Sequence, residues 1–321
     1  MLKGAEHSFF IIDQHGGTKM KRNQLGRSDL YVSEIGLGCM SLGTEEGKAV
    51  SIIDAALEHG INFLDTADLY DAGRNEELVG RAIRSRRSDI VLATKVGNRR
   101  MEGQDGWTWD PSKAYILHAV KDSLRRLGTD YIDLYQLHGG TIEDPIDETI
   151  DAFETLKKEG LIRHYGISSI RPNVIREYVK RSSIVSVMNQ YSMLDRRAEE
   201  SVLPLLGEHG IGLIARGPLA GGILTERGAA KAERNYLDYT AEELPTIRQQ
   251  LQDLTGDGYT LAQLAIRYSL HDPAVRVVIP GASSIEQLRM NVSAADAPPL
   301  TTELAAAIRA ITRPNTYSAH R

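Results

Sequence analysis

With one cysteine in 321 residues, Cys39, this chain can form neither an intrachain disulfide nor a cysteine cluster for zinc or iron. A reducing, cytoplasmic setting is the simpler expectation. Positive charge is not in excess either. Lys and Arg number 38 against 43 Asp and Glu, a formal net charge of −5 with a pI near 6.0. That balance lacks the broad basic field on which nucleic-acid binding relies, although a local anion site is compatible with it. No apolar run approaches the roughly 20 residues needed to cross a bilayer, so no membrane partner is expected. In residues 1–19 only Phe9 to Ile12 are consecutively apolar, too little for a signal-peptide core. They read as an N-terminal extension ahead of a single domain over 20–321.

Several catalytic motifs are missing as well. Neither H-x-H nor H-E-x-x-H spacing occurs, so no metal site is expected, and there is no G-x-S-x-G elbow. Gly36-Leu37-Gly38 does not continue into G-x-G-x-x-G, because Ser41 stands where the third glycine belongs. Any dinucleotide must therefore bind by another device.

What the chain does contain is a repeated strand-then-helix alternation. A hairpin (Asn23 to Leu25, a turn at Gly26 to Asp29, Tyr31 to Val32) precedes eight strand candidates. These are Ile35 to Leu37, Phe63 to Asp65, Ile90 to Lys95, Ile132 to His138, His164 to Ser168, Val185 to Gln190, Gly212 to Arg216 and Val277 to Ile279. Asp110-Pro111 and Asp144-Pro145 suggest helix starts, and Gly60, Gly160 and Gly210 suggest helix ends. Eight units over residues 20–321 average about 38 residues each, which suits a (β/α)8 TIM barrel with an N-terminal β-hairpin. Long loops are expected at Gly97 to Asp110, with Trp107 and Trp109, and at Gly217 to Gly258.

Four polar residues fall at or near the carboxyl ends of consecutive strands: Asp65 and Tyr70, Lys95, and His138. A barrel of this kind gathers its chemistry on that rim. A phenol with an ordinary pKa of about 10 is a poor acid at neutral pH, but an adjacent ammonium lowers that value. Lys95 supplies the ammonium, Asp65 holds it, and neutral His138 can donate to an oxygen gaining negative charge. The set suits protonation of a carbonyl oxygen while its carbon is reduced.

Those segments resemble the aldo-keto reductase superfamily. The resemblance is carried by Leu64 to Tyr70 followed by Gly73 and Asn75-Glu76, by Ala93-Thr94-Lys95, and by Asp130 to His138. It continues through Gly166 to Ser169, Asn189-Gln190-Tyr191 and Ile279 to Ala282, spanning about Met20 to Ala295. It implies NADPH-dependent reduction of small aldehydes or ketones, with Tyr70 as general acid, Lys95 and Asp65 tuning it, and His138 orienting the carbonyl. It places Ser168, Ser169 and Gln190 at the nicotinamide carboxamide, and Arg216 where many members stack an aromatic ring. Further cofactor contacts are implied at Gly38, Cys39, Met40, Leu219, Gly221 and Gly281. Ser283, Gln287 and Asn291 fall at positions for the adenosine 2′-phosphate and adenine, with Arg289 as the nearby cation. Trp107, Trp109, Met40 and the C-terminal tail are candidates for the substrate pocket.

Each signal has a competing reading. Asp65 and Lys95 could be a buried structural ion pair, and His138 a satisfied core histidine. Ser283-x-x-Glu286 and Ser284-x-x-Gln287 also read as capping boxes, Trp107 and Trp109 as a cover for the barrel mouth, and Arg216 as a surface ion-pair partner. Two other functions fit the same residues: a nucleotide-binding accessory or redox-sensing subunit with little turnover, and a Schiff-base lyase using Lys95.

Overall fold

Runs such as VLATKV, IDLYQL and VRVVI are too short for a globular helix and are apolar on both faces, as strands sandwiched between an interior and a helical layer must be. Each forms one parallel strand in the computed structural model, which describes residues 20–101, 106–256 and 258–321. The expected N-terminal extension, 1–19, lies outside the described residues.

The chain opens with an antiparallel hairpin, β1 (Arg22–Gln24) and β2 (Tyr31–Ser33), followed by β3 (Leu37–Gly38), β4 (Phe63–Asp65) and β5 (Val91–Val96). A second antiparallel hairpin, β6 (Asn98–Arg100) and β7 (Trp107–Trp109), stands outside the main sheet. Then come β8 (Ile132–Leu137), β9 (Ile162–Ser168), β10 (Ser186–Gln190), β11 (Gly212–Arg216) and β12 (Val275–Ile279). The barrel order is β3-β4-β5-β8-β9-β10-β11-β12, all parallel. It closes where Gly36 N–H donates to the Val278 carbonyl at 2.8 Å and Val278 N–H to Glu34 at 2.9 Å. The molecule is therefore a (β/α)8 barrel.

Helices α1 (Glu46–Glu58), α2 (Arg74–Ile83), α3 (Lys113–Leu127), α4 (Ile146–Lys158), α5 (Pro172–Arg181) and α6 (Ala198–His209) follow successive strands. The remaining four are α7 (Leu244–Asp253), α8 (Leu261–Ser269), α9 (Ile285–Val292) and α10 (Thr302–Ile311). Strand parity divides the core in two. Phe63, Val91, Ala93, Leu134, Met188, Ile214, Val277 and Ile279 fill the barrel, together with Leu25, Leu30 and Val32 of the hairpin. The hairpin thus plugs the N-terminal end and leaves the opposite end free for chemistry. The alternate residues face the helices in a second, larger cluster. Each large side chain buried in either layer contributes about 1.5–3 kcal/mol.

Several local expectations are corrected. The first barrel strand is shorter and later than Ile35 to Leu37, with Ile35 reduced to an isolated bridge to Val278. The segment after β5 is a hairpin rather than a plain loop, and the long stretch after β11 contains α7. Ser112, not Asp110, caps α3, its hydroxyl accepting from Tyr115 N–H at 3.3 Å, while Asp110 holds Ser112. Pro145 takes the position before α4. Among the described residues no helix is long and apolar enough to cross a membrane.

Candidate active site

Period-two alternation carries β4, β5 and β8 inward at Asp65, Lys95 and Gln136, all near their carboxyl ends. Lys95 Nζ donates to Asp65 Oδ2 at 2.7 Å, to the Thr66 carbonyl at 2.8 Å and to Tyr70 Oη at 3.1 Å. Gln136 Nε2 holds the other oxygen of Asp65 at 3.2 Å. Lys95 and Asp65 are both buried. His138 stands just past β8, its ring edge-on to Tyr70 with centroids 5.9 Å apart. The four residues expected from the strand ends thus converge.

Tyr70 reaches this cluster through a sharp turn. Asp71 and Ala72 adopt φ of 45° and 61° ahead of Gly73, a conformation costly for residues with a Cβ. The following Asn75-Glu76 brace the rim from outside. Asn75 accepts from the Thr66 hydroxyl at 2.7 Å and donates to the Cys39 carbonyl at 2.9 Å. Glu76 accepts from the Thr94 hydroxyl and from Arg126 Nε, each at 2.6 Å. Thr66 and Thr94 are the chain neighbours of Asp65 and Lys95, so the first turn of α2 fixes the strand ends that carry them.

Burial sets the electrostatics. It pushes Lys95 down, but Asp65 and Tyr70 outweigh it and hold the ammonium above its ordinary value. It pushes the Asp65 carboxyl up, against the pull of Lys95. For Tyr70 burial also wins over the Lys95 ammonium, so the phenol lies above its usual value. This corrects the expectation of a lowered tyrosine: the ammonium is present, but the hydroxyl is too poorly solvated for its charge alone to prevail. His138 is pushed down to about 3 by burial, Lys95 and Arg216, and is neutral at pH 7. Its buried Nδ1 has no partner among the described residues. Asp68, in the same motif, is pushed up to about 7 by burial and Glu76.

A cleft of about 1050 Å³ opens over this cluster, lined by Asp65, Tyr70, Lys95 and His138 on its floor. Of the positions expected around a cofactor, Gly38, Met40, Ser168, Ser169, Arg216, Leu219, Gly221, Gly281, Ser283, Gln287 and Asn291 line it. Cys39, Gln190 and Arg289 do not. The Cys39 thiol is fully buried beside the Leu37 carbonyl at 3.6 Å, and burial pushes it up, away from thiolate reactivity. Gln190 lies behind Arg216, whose Nη1 donates to Gln190 Oε1 at 2.9 Å, while Gln190 Nε2 donates to Tyr236 Oη at 3.2 Å. Arg289 is exposed on α9.

At the start of α9 the capping reading is resolved. Ser284 is the cap, accepting from Gln287 N–H at 3.2 Å. Gln287 Oε1 turns back to Ser283, accepting from its N–H at 2.9 Å and its hydroxyl at 3.0 Å. Asn291 Nδ2 donates to the Gly281 carbonyl at 3.1 Å. Trp109 and Trp107 stand off the cleft. The Trp109 indole N–H donates to both oxygens of Asp144 at 3.0 Å, and its ring lies over Gly97 and Gly139, while Trp107 is half exposed. The C-terminal tail runs past α5, where the His320 carbonyl accepts from Asn173, and Tyr317 reaches Asn189 at 3.1 Å.

Residues passed over in the sequence also belong to the site. Gln136 shares a strand face with His138, a signal present in the period-two pattern. Arg171 and Arg227 line the cleft from loops and Lys231 from a single 3-10 turn (Ala229–Lys231), all too short for a periodicity to mark them.

Comparison with known proteins agrees with this geometry. Residues 34–313 match the Aldo/keto reductase family. The chain is 60% identical over 307 residues to the uncharacterized oxidoreductase YqkF of Bacillus subtilis (strain 168), covering 94% of this chain and 100% of that one. A probable voltage-gated potassium channel subunit beta of Arabidopsis thaliana is 33% identical over 316 residues, 89% of this chain and 94% of the other. The solved holo form of an aldo-keto reductase from Bacillus halodurans superposes with a TM-score of 0.90 at 59% identity, over 94% of this chain and 99% of that one. By its barrel, its rim and these likenesses, the chain belongs to the aldo/keto reductase family.

Proposed function

We propose that this chain reduces small aldehydes or ketones to alcohols with NADPH, using Tyr70 as the proton donor. The observation that carries the proposal is the Lys95 ammonium, bonded at once to Asp65 and Tyr70 on the floor of a cleft roomy enough for a dinucleotide and a small substrate.

The residues present fit such a cofactor. A Cβ at Gly38 would stand 2.9 Å from the Ile279 carbonyl oxygen and one at Gly281 2.6 Å from Ser41 Oγ, so glycine is required at both positions where β3 meets β12, and this wall of the cleft is left to backbone. Beside it the first turn of α9 would offer N–H groups to phosphate, and Lys231, with no carboxylate within salt-bridge distance among the described residues, would add positive charge. Ser168 and Ser169 would hold the carboxamide, and Arg216 would face the nicotinamide. Ser283, Gln287 and Asn291 would hold the adenosine end, with Arg289 at its edge. When bound, NADPH supplies the two electrons and the hydrogen that reduce the carbonyl carbon.

The protein's own part is proton and charge management. Tyr70 and neutral His138 would both donate hydrogen bonds to the carbonyl oxygen, placing negative charge where two donors meet it. As charge develops there, the Tyr70 proton moves to that oxygen. The phenolate left behind is stabilised by Lys95, which Asp65 and Gln136 keep in place. The test is NADPH and NADH oxidation across a panel of aldehydes, dicarbonyls and ketones. Carbonyl-dependent oxidation with NADPH preferred is expected. Absence of turnover with every carbonyl would overturn the reading.

A second reading, a dinucleotide-binding accessory subunit, is favoured by the 33% identity to a probable channel subunit beta. It predicts tight NADPH binding without turnover in the same assay.

A further inference from the structure

Besides Lys95, four cations among the described residues line the cleft, Arg171, Arg216, Arg227 and Lys231, and of the described residues lining it only Asp65 and Glu286 oppose them. The cleft is thus a positive region in a chain of net charge −5. Lys95 is neutralised by Asp65 at 2.7 Å, and Arg227 by Glu286 at 2.7 Å. Arg171, Arg216 and Lys231 have no carboxylate within salt-bridge distance among the described residues, and Lys231 Nζ donates to the Gly221 carbonyl at 2.8 Å on the side of the cleft that faces α9. Arg216, at the end of β11, is the residue that would face the nicotinamide. Arg171 is left over.

Its position separates it from the phosphate side. Arg227 and Lys231 follow β11 and face the start of α9, which follows β12. Arg171 follows β9, the neighbour of β8, three strands away around the barrel from β12. Its guanidinium Nη1 donates to the carbonyl of Gly140, two residues past His138. Two residues of extended chain span at most about 7 Å, so the guanidinium is held against the loop that follows His138, away from Arg227, Lys231 and the start of α9. Arg171 is partly exposed to the cleft, and a guanidinium keeps further N–H donors when one is engaged. Exposed Ile170 beside it and the Gly139 backbone provide a narrow floor between this cation and the imidazole.

Resting on the carbonyl-reductase reading above, we infer that Arg171 selects substrates carrying a carboxylate a few carbons from the reacting carbonyl, that is, short oxo-acids with an aldehyde or ketone end. The carbonyl sits under Tyr70 and His138 and the carboxylate on the Arg171 fork. Arg171 is a specificity residue and takes no part in the proton transfer.

The test compares 4-oxobutanoate with its methyl ester, which keeps the chain and removes the charge. The readout is the ratio of their kcat/KM values with saturating NADPH. A ratio of at least about tenfold in favour of the acid is expected. Arg171→Met should lower that ratio by at least tenfold, and Arg171→Lys should recover part of it by keeping the charge. Because the ratio cancels damage common to both substrates, loosening of the Gly140 loop cannot imitate the result. A ratio near one in the unmodified protein overturns the inference while leaving the reductase reading intact. So does a ratio unmoved in Arg171→Met together with weakened NADPH binding, which would assign this cation to the cofactor. If neither aldehyde nor any other carbonyl is reduced, the reductase reading itself has failed, and this inference with it.

Discussion

Tyr70, the proposed proton donor, is the residue on which the proposed chemistry turns. Its phenol lies above the ordinary tyrosine value because burial outweighs the ammonium 3.1 Å away. Reduction needs the protonated phenol, so kcat/KM for a carbonyl should stay level from about pH 6 to 9 and decline only above the ordinary tyrosine pKa of about 10. Alcohol oxidation needs the phenolate and should rise over that same alkaline interval. His138, pushed down to about 3, stays neutral throughout and adds no limb near neutrality. A reduction profile that already falls between pH 7 and 8, and still does so in Asp68→Asn, which removes the carboxyl pushed up to about 7, would mean that Lys95 dominates after all. The convergence of Asp65, Tyr70, Lys95 and His138 was legible in the sequence, since each stands at or shortly after a strand's carboxyl end. The direction of the Tyr70 shift was not. It depends on how completely the folded chain excludes water from one hydroxyl, and no spacing rule carries that information. Cys39 and Gln190 illustrate the same limit: both lie beside residues that line the cleft, yet one turns into the helical layer and the other is held behind Arg216.

Among the elements, α2 does the most to position the site, and its packing overrides its local preferences. Gly80 sits inside this helix, where alanine would be favoured by about 1 kcal/mol on propensity alone. A Cβ there would stand well inside van der Waals contact of the Leu127 carbonyl at the end of α3, and backbone cannot move aside as a side chain can. Overpacking of this kind costs about 1–3 kcal/mol, so Gly80→Ala should lower the melting temperature by ~1–5 °C. A melting temperature raised by the substitution would show that helix propensity governs this position. Elements with long apolar runs were readable from the sequence, because a strand covered on both faces needs them. The hairpin of β6 and β7 was not: Asn98-Arg99-Arg100 and Trp107-Thr108-Trp109 are three residues each and largely exposed. With so little of either strand covered by the core, there was no hydrophobic pattern to read.

For the whole molecule, the division of labour follows from closing the sheet. The hairpin of β1 and β2 plugs one end, the interior is packed with Phe63, Leu134, Ile214 and their neighbours, and the cluster of Asp65, Tyr70, Lys95 and His138 stands at the other end. This arrangement was foreseeable from eight strand-and-helix units with polar residues recurring at one end of the strands. The cleft's second wall was not, because Arg171, Arg227 and Lys231 come from loops and a single 3-10 turn whose placement only the closed barrel defines. On the proposed function, this rim binds NADPH with one set of residues and transfers a proton with another. Its most direct test is Tyr70→Phe, which deletes a single hydroxyl from the floor of the cleft. NADPH affinity, measured by fluorescence titration, should stay within a few-fold of the unmodified protein, while carbonyl reduction falls by at least roughly 10²-fold. Turnover of Tyr70→Phe close to that of the unmodified protein would contradict the account.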